Sequence, residues 1–193
     1  RQMCIRDSIA SGKTTVARHL SNKLGGEVGS FAEGIRVCFD TVVTPIIGRT
    51  LDKKKDRKIL QYVGKLGRDF KDYIDNGMTY LNSKDDLFTI DSYSEENGIS
   101  PKESNIISSS IYLWVKSKIM QTYPNNRDEG FRYQFQESKN FWIDYELQKQ
   151  KYSSENFVYI DDLRYVNEYQ KLIEKGFTVF RLNCPKRICE ERA

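Results

Sequence analysis

Two short apolar runs near the end of the chain flank one helical repeat, and this pattern constrains the fold more than any other feature of the sequence. The runs, residues 157–160 and 177–182, are rich in aromatic and β-branched residues, which is typical of strands. Between them, one helical face carries four apolar residues: Val166, Tyr169, Leu172 and Ile173. Gly176 stands where such a helix commonly ends. Strands joined through a helix are normally parallel, so the pattern predicts an α/β fold with a mostly parallel sheet and helices on both faces.

Length and composition narrow the class of protein. The chain has 193 residues, which is enough for one hydrophobic core, so we predict a single domain over residues 1–193. It has no apolar run of the roughly 18 residues that a membrane helix needs, and its four cysteines are too scattered for a disulfide scaffold. We therefore expect no membrane contact and a cytoplasmic location, in the host cytoplasm if the source is viral. A net charge of +4 is small for a dedicated nucleic-acid-binding protein.

Residues 8–15 read Ser-Ile-Ala-Ser-Gly-Lys-Thr-Thr and open a second helical pattern. A loop of backbone N–H groups that ends at a helix N-terminus wraps around phosphate oxygens. In such a loop Lys13 reaches the β- and γ-phosphates, and the Thr14 hydroxyl binds Mg²⁺. We therefore predict ATP and Mg²⁺ as ligands, with the phosphates held by Ala10, Ser11, Gly12, Lys13, Thr14 and Thr15.

One position departs from the full phosphate-loop motif, which has a glycine five residues before Gly12. Asp7 stands there instead; it brings a Cβ into a tight turn and a negative charge beside a polyphosphate. Residues 1–8 also do not read as a central parallel strand. We expect them to be a foreign leader that replaces the true first strand, and we expect the chain as written not to hold ATP. The last residues follow a strand and the start of a helix, which predicts a truncated C-terminus.

A second polar cluster follows the strand at 157–160. A carboxylate at the end of a buried parallel strand lies at the sheet edge where ligands bind, and it can hold Mg²⁺ directly or through water. We assign this role to Asp162, with Asp161 as the competing candidate; either residue could instead cap the following helix. The Arg164 guanidinium suits bidentate contact with phosphate, and a surface salt bridge to Glu168 is its alternative.

Four separated segments resemble the P-loop nucleoside and nucleotide kinase family, and within it the phage-type deoxynucleoside monophosphate kinases. They are residues 10–15, 31–36, 57–68 and 141–168. The most specific is a strand that ends in Asp-x-Arg-aromatic-x-Asn-Glu at the start of a helix. The resemblance covers about half of the chain. Relative to compact members, residues 69–139 look like a largely helical insertion.

The resemblance implies a three-layer P-loop NTPase fold and ATP- and Mg²⁺-dependent transfer of the γ-phosphate to a deoxynucleoside monophosphate. It implies that Lys13, Asp162 and Arg164 are catalytic, although phosphoryl transfer does not require a catalytic base. If a base assists, Asp162 or Glu33 is the candidate by position.

Residues on the acceptor side are also implied by the resemblance. Arg36, after a second strand placed to end at Phe31-Ala32, and Arg68 would grip the acceptor phosphate, with Gln61 near its base. Arg187 and Arg192 fall where related kinases carry a mobile lid. For Arg36 and Arg68, the alternative is an ordinary surface arginine.

Other patterns describe packing. Six apolar residues recur at near-helical spacing and predict a helix packed on the domain: Ile106, Ile107, Ile111, Trp114, Val115 and Ile119. Trp142 is a core residue or lines the acceptor pocket. The basic run 53–58 is predicted to be a solvated helix face.

Two alternatives to this function stay open. One is an enzyme like dephospho-coenzyme A kinase, against which the segment 164–168 argues. The other is a non-catalytic nucleotide- or nucleic-acid-binding protein, because aromatic and basic residues interleave in the insertion: Tyr112, Lys116, Lys118, Tyr123, Arg127, Phe131, Arg132, Tyr133 and Phe135. Neighbouring acids oppose phosphate binding there, so we expect small nucleotides rather than nucleic acid as partners. A homodimer is left open.

Overall fold

The computed structural model describes residues 2–6, 12–76, 90–124, 138–151 and 157–192. These residues form four strands: β1 (Gln2–Arg6), β2 (Glu27–Gly29), β3 (Val158–Ile160) and β4 (Thr178–Arg181). They also form ten α-helices: α1 (Lys13–Leu24), α2 (Glu33–Cys38), α3 (Thr44–Ile47), α4 (Arg57–Arg68), α5 (Phe70–Asn76), α6 (Ile90–Glu96), α7 (Pro101–Thr122), α8 (Phe141–Lys151), α9 (Val166–Glu174) and α10 (Lys186–Arg192). A π-helical segment precedes α3, and a 3₁₀ turn precedes α8.

The chain divides into two compact units. The first unit contains Arg1–Glu33 and Glu146–Ala193, and the second contains Gly34–Tyr145. The sheet belongs to the first unit; its strand order is β2-β3-β1-β4, and every neighbouring pair is parallel. The predicted insertion, residues 69–139, falls within the second unit, and its described residues are mostly helical. The three-layer P-loop architecture stays a prediction.

The central strand corrects one sequence prediction. Residues 1–8 are predicted above not to supply a central strand, yet β1 lies between β3 and β4, so that prediction is wrong. A parallel ladder is made by backbone groups, and the two neighbouring strands supply partners on both sides of β1. The strand is short and has polar residues at both ends, so its apolar centre is too brief to be recognised as a strand from the sequence. The foreign-leader hypothesis for residues 1–8 is a separate statement and stays a prediction.

The strand–helix–strand unit near the end of the chain is confirmed as β3, α9 and β4. Gly176 follows α9 with a φ of 80°, in the left-handed region, as expected of a residue just past a helix end. Two details differ from the sequence reading. β1 lies between β3 and β4, so the two strands are parallel but not adjacent. On α9, Leu172 is buried, but Val166, Tyr169 and Ile173 are exposed.

The first unit packs α1 against the sheet. Ala17 of α1 and Tyr159 of β3 are fully buried, and Val16 and Leu20 pack around them. The second strand, placed to end at Phe31-Ala32 by sequence, ends two residues earlier at Gly29, and the chain turns before α2. That turn brings its polar groups to the carboxyl end of the sheet.

The second unit has a helical core of its own. The predicted helix in the middle of the chain is confirmed as α7, which a reciprocal pair of hydrogen bonds between Ser100 and Glu103 caps at its start. Four of the six residues that predicted it are fully buried: Ile107, Ile111, Val115 and Ile119. They join side chains of the π-helical segment, α4 and α8 in one cluster.

Trp142 lies in this core, as the packing alternative predicted. Its indole N–H donates to the Gly64 carbonyl at 2.9 Å, and the ring stacks on Trp114 with 6.5 Å between centroids. Gly67 is required by the close approach of the ring, because a Cβ at that position would lie 2.5 Å from the indole nitrogen. No helix formed by the described residues is long and apolar enough to span a bilayer.

Candidate active site at the carboxyl end of the sheet

The site begins where α1 begins. Gly12 precedes the helix with a φ of 91°, a left-handed conformation that favours glycine. The first turn, Lys13-Thr14-Thr15, carries no acidic side chain, so its backbone N–H groups and dipole are suited to an anion. Lys13 is half-buried in this turn. Asp7 and the predicted phosphate-binding residues Ala10 and Ser11 lie outside the described residues.

Thr14 meets a carboxylate that follows β3. Its hydroxyl donates to Asp161 Oδ2 at 2.5 Å, across 147 positions of sequence. Asp161 is buried, whereas Thr14 is exposed at the start of α1. The contact therefore places a hydroxyl oxygen and a carboxylate oxygen side by side at the helix start that follows the phosphate-loop motif.

Asp162, the predicted Mg²⁺ ligand, contacts a different element. Its carboxylate accepts hydrogen bonds from the Ser30 hydroxyl at 2.8 Å, the Phe31 N–H at 2.9 Å and the Ala32 N–H at 3.0 Å. Successive residues of an extended chain point to opposite sides, which explains why neighbouring aspartates reach different partners. Asp162 thus ties the turn after β2 to the end of β3, while the competing candidate, Asp161, meets Thr14.

Glu146 adds a third acid to this end of the sheet. The side chain is only 5% exposed; Oε1 accepts from the Ser30 N–H at 3.4 Å, and Oε2 lies 3.3 Å from Lys149 Nζ. Burial raises the pKa of Glu146, and the charge of Asp162 adds to the rise, although Lys149 acts in the opposite direction. Glu146 and Asp162 together hold the segment 30–32.

The start of α9 is capped by Glu168 rather than by either aspartate. The Glu168 carboxylate accepts from the Arg164 N–H at 2.6 Å and the Tyr165 N–H at 2.9 Å. It therefore bonds backbone groups of this turn, and the Arg164 side chain is exposed close to the end of β3. Glu168 thus makes the capping contacts that the alternative assigned to one of the aspartates.

The acceptor-side candidates belong to the second unit. Arg36 is half-buried on α2, Gln61 is exposed on α4, and Arg68 ends α4. The Arg68 guanidinium lies along its own helix, where a Cβ on Gly64 would be 3.4 Å from Nη1 and 3.1 Å from Ile35 Cδ1. Arg68 and Ile35 thus both approach Gly64, within the same unit.

The lid candidates lie on α10 of the first unit. Arg187 is exposed and pairs with Glu191 one turn along at 3.5 Å, a surface contact of little energetic weight. Arg192 is the last residue of the same helix.

The described aromatic residues of the nucleic-acid alternative are engaged within the second unit. Tyr112 stacks on Phe70 at 5.6 Å, and the Tyr123 hydroxyl donates to Asp144 at 2.8 Å. Lys116 Nζ lies 5.9 Å from the centre of the Tyr112 ring. The other aromatic and arginine residues named for this alternative, at 127–135, lie outside the described residues.

The residues near Thr14 fit a magnesium ion. A hydroxyl and a carboxylate are the hard oxygen donors that Mg²⁺ prefers, and in phosphoryl-transfer sites it takes one or two protein oxygens, with waters and phosphates completing the octahedron. Within the described part of the chain, no group of three or more His, Cys, Asp or Glu side chains forms a protein cage for a metal. The pair formed by Thr14 and Asp161 is therefore the candidate metal centre.

Sequence reasoning missed Ser30 and Glu146. Ser30 follows β2 as the aspartates follow β3, so it would have been found had the end of β2 been placed correctly at Gly29. Glu146 follows Trp142 by four residues and shares its apolar helical face, and an acid on such a face was the available signal.

Comparisons of the chain with protein-family models, with curated proteins and with solved structures give no match.

Proposed function

We propose that this chain is a nucleotide kinase that transfers the γ-phosphate of ATP to a deoxynucleoside monophosphate. The observation that carries the proposal is the 2.5 Å contact between the Thr14 hydroxyl and Asp161, which joins the helix start after the phosphate-loop motif to the carboxyl end of β3. A P-loop hydroxyl and a strand-end aspartate are the groups that hold Mg²⁺ in enzymes of this chemistry. The acceptor is proposed from the sequence resemblance.

The contacts suggest a division of roles between the two aspartates. We assign the metal to Asp161 in place of Asp162, because Asp162 is occupied by three donors of the turn after β2. When bound, Mg²⁺ would neutralise charge on the β- and γ-phosphates. Lys13, beside Thr14, is positioned by the motif to bind the same phosphates.

Asp162 acts here as a positioning residue for the segment that leads into Glu33 and α2. In the proposed reaction the bond between the γ-phosphorus and its bridging oxygen breaks, a phosphate oxygen of the acceptor bonds to the γ-phosphorus, and ADP leaves. Such a transfer depends on positioning and charge neutralisation. Arg164, Arg36, Gln61 and Arg68 are the proposed phosphate and acceptor contacts, and Arg187 with Arg192 the proposed lid.

The test is ADP release by the full chain and by its Asp7→Gly variant, with ATP and Mg²⁺ against a panel of deoxynucleoside monophosphates and dephospho-coenzyme A. We expect turnover by Asp7→Gly with at least one deoxynucleoside monophosphate, a loss of at least about a hundredfold when Lys13→Ala is added to it, and no ATP binding by the chain as written. Lys23→Ala, at the other end of α1, is the matched control and should keep its activity.

Other outcomes would point elsewhere. Turnover with dephospho-coenzyme A alone would show that this molecule, and not a deoxynucleoside monophosphate, is the acceptor. ATP binding with no turnover across the panel, together with salt-sensitive binding of oligonucleotides, would overturn the kinase and favour a binding protein.

A further inference from the structure

Two cysteines flank the start of α10, the helix that follows β4. Pro185 immediately precedes this helix, and its carbonyl oxygen accepts from the N–H groups of Ile188 at 2.9 Å and Cys189 at 3.2 Å. Pro185 is therefore the N-cap residue. Cys184 then stands one residue before the cap, and Cys189 is the fourth residue of the helix. Both cysteines are free thiols.

Side chains at these two positions commonly face each other. The residue before an N-cap often packs against the fourth residue of the helix, in the contact known as the hydrophobic staple. Here Cys189 Sγ lies 3.9 Å from the carbonyl oxygen of Cys184, so the Cys189 side chain is folded back over the chain that enters α10. The start of this helix thus holds two thiols where other helices hold two apolar side chains in contact.

We propose that Cys184 and Cys189 form a reversible disulfide, with a low-molecular-weight disulfide such as oxidised glutathione as the oxidant and Cys184 as the first thiol to react. A disulfide requires Cβ atoms roughly 4 Å apart, and thus side chains in direct contact. The staple positions supply that contact. The bond closes only the short loop 185–188, which the proline and the first turn of α10 already restrain.

Exposure sets the order of the two steps. Cys184 is half-buried, whereas Cys189 is only 7% exposed. The Cys184 thiolate attacks one sulfur of the oxidant, the disulfide bond of glutathione breaks, and one glutathione leaves as its thiolate. The Cys189 thiol then gives its proton to solvent, its sulfur bonds to Cys184 Sγ, and the second glutathione leaves. Two protein thiols are oxidised to one disulfide, and one glutathione disulfide is reduced to two thiols.

Cys38 provides a contrast within the same chain. It is fully buried on α2, and this burial raises the pKa of its thiol to about 12. The thiol is therefore protonated and shielded from a dissolved oxidant, and the reactive form of a cysteine is the thiolate. We expect Cys38 to stay reduced under conditions that oxidise the pair at α10.

The bridge would restrict the helix that carries the proposed lid. Arg187 lies inside the closed loop, and Arg192 is the last residue of α10. Oxidation would therefore fix the chain around Arg187 and the first turn of the helix that ends at Arg192. This consequence rests on the proposed function, whereas formation of the disulfide depends only on the start of α10.

The first test is peptide mapping of the full chain, without ATP or an acceptor, after exposure to oxidised glutathione. Trypsin cleaves after Lys186 and Arg187, between the two cysteines. A bridge should therefore hold peptides 182–186 and 188–192 together as one species, which reduction separates into two. Because no nucleotide is present, a negative result would count against the disulfide and would leave the kinase proposal untouched.

The other two cysteines of the chain are internal controls for this test. Thiols that remain reduced are alkylated in urea before digestion, and the peptide that contains Cys38 should then carry the alkyl group in full. Absence of the joined peptides would overturn the proposal. A bridge from Cys184 or Cys189 to Cys4 or to Cys38 in place of the joined peptides would overturn it as well.

A second test uses single variants, with circular dichroism to check that each is folded. Cys189→Ser lacks the resolving thiol, so glutathione should accumulate on Cys184 as a stable mixed disulfide. Cys184→Ser keeps only the buried thiol of the pair and should take up at least about tenfold less glutathione at α10. Equal uptake by the two variants would overturn the order of the steps. A mixed disulfide that persists on Cys184 of the unsubstituted chain would overturn the proposal, since that chain holds the resolving thiol.

Discussion

The two units bury acidic side chains in different ways. In the second unit, Asp56 is fully buried and accepts two hydrogen bonds of 2.7 Å from the Arg49 guanidinium and one from the Tyr93 hydroxyl. In the first unit, Asp161 and Asp162 accept from hydroxyls and backbone N–H groups. The negative charge of Asp56 is therefore paired with the positive charge of Arg49, whereas the groups that donate to Asp161 and Asp162 are neutral.

The difference indicates which acids hold the unit together and which are available for chemistry. Burial acts to raise the pKa of Asp56, but the bonds from Arg49, the Asp52 backbone and Tyr93 outweigh it and hold the pKa below its usual range. Asp56 is therefore a charged, paired group. Asp161 accepts instead from the neutral Thr14 hydroxyl, at the carboxyl end of a sheet, where a carboxylate suits a divalent cation.

The largest expected effect is that of Asp161→Asn. Asparagine still accepts from Thr14 but has no charge for a metal, so in the Asp7→Gly chain kcat should fall roughly a thousandfold while the unfolding midpoint changes little. Turnover as a function of Mg²⁺ concentration, with thermal unfolding alongside, measures both. If Asp161→Asn stays active while Asp162→Asn is inactive, the assignment of the two aspartates is reversed.

Asp56→Asn should act on stability alone. Removing the charge leaves Arg49 uncompensated and should cost roughly 3 kcal/mol of unfolding free energy, limited by the access of Arg49 to water. Urea unfolding measures the loss. The matched control is Glu96→Gln, which breaks the exposed pair with Lys58 at 2.7 Å and should change stability by less than about 0.5 kcal/mol. Equal losses of unfolding free energy in the two variants would show that the buried pair of Asp56 and Arg49 contributes no more than the exposed pair.

Acid should weaken the second unit through the same residue. Because the folded pKa of Asp56 lies below its unfolded value, its contribution is present above the unfolded pKa and is lost as pH falls through the folded pKa. Urea midpoints measured from pH 6 down to pH 3 should therefore fall more steeply for the native chain than for Asp56→Asn. Parallel curves would show that Asp56 does not titrate in this way.

A smaller effect is expected for Asp162→Asn. Asparagine has one accepting oxygen, so part of the hold on segment 30–32 is lost, at a cost of about 1–2 kcal/mol to the first unit. We expect about a tenfold loss in kcat/KM for the acceptor with an unchanged Mg²⁺ requirement. A changed Mg²⁺ requirement would contradict this assignment and indicate that Asp162 binds the metal.

The smallest effect belongs to Glu146→Gln. The folded pKa of Glu146 is raised, so its contribution is complete below the unfolded pKa and is lost as pH rises through the folded pKa. Glutamine removes that loss, so the variant should be more stable relative to the unsubstituted chain at pH 8 than at pH 4. Unfolding at the two pH values tests this, and a gain that is larger at pH 4 would contradict it.

Local patterns explain what could be predicted from sequence. Apolar residues at spacings of three and four placed α7, the aromatic and β-branched runs placed β3 and β4, and Gly-Lys-Thr placed the start of α1. In each case the signal lies within a few residues, because helix and strand geometry repeats over that distance. Which face of a helix is covered does not follow from this, as the exposed Val166 and Ile173 of α9 illustrate.

The basic run at 53–58 shows the same limit. Predicted as a solvated helix face, it forms a turn at 53–56 and only the first two residues of α4, with its lysines exposed and Asp56 fully buried within it. Composition favoured exposure for every residue of the run. The burial of Asp56 depends on Arg49 and on Tyr93, which lies 37 positions away.

The sequence by itself determined the place of α7, the unit formed by β3, α9 and β4, the start of α1 at Gly-Lys-Thr, and the pair of aspartates that follows β3. Only the tertiary structure decided that residues 2–6 form the central strand, that Asp161 rather than Asp162 meets Thr14, and that Ser30 and Glu146 join the site. The physical reason is the range of the interactions. Periodicity is read between neighbours along the chain, whereas strand order and the partner of a buried carboxylate depend on groups more than a hundred residues apart.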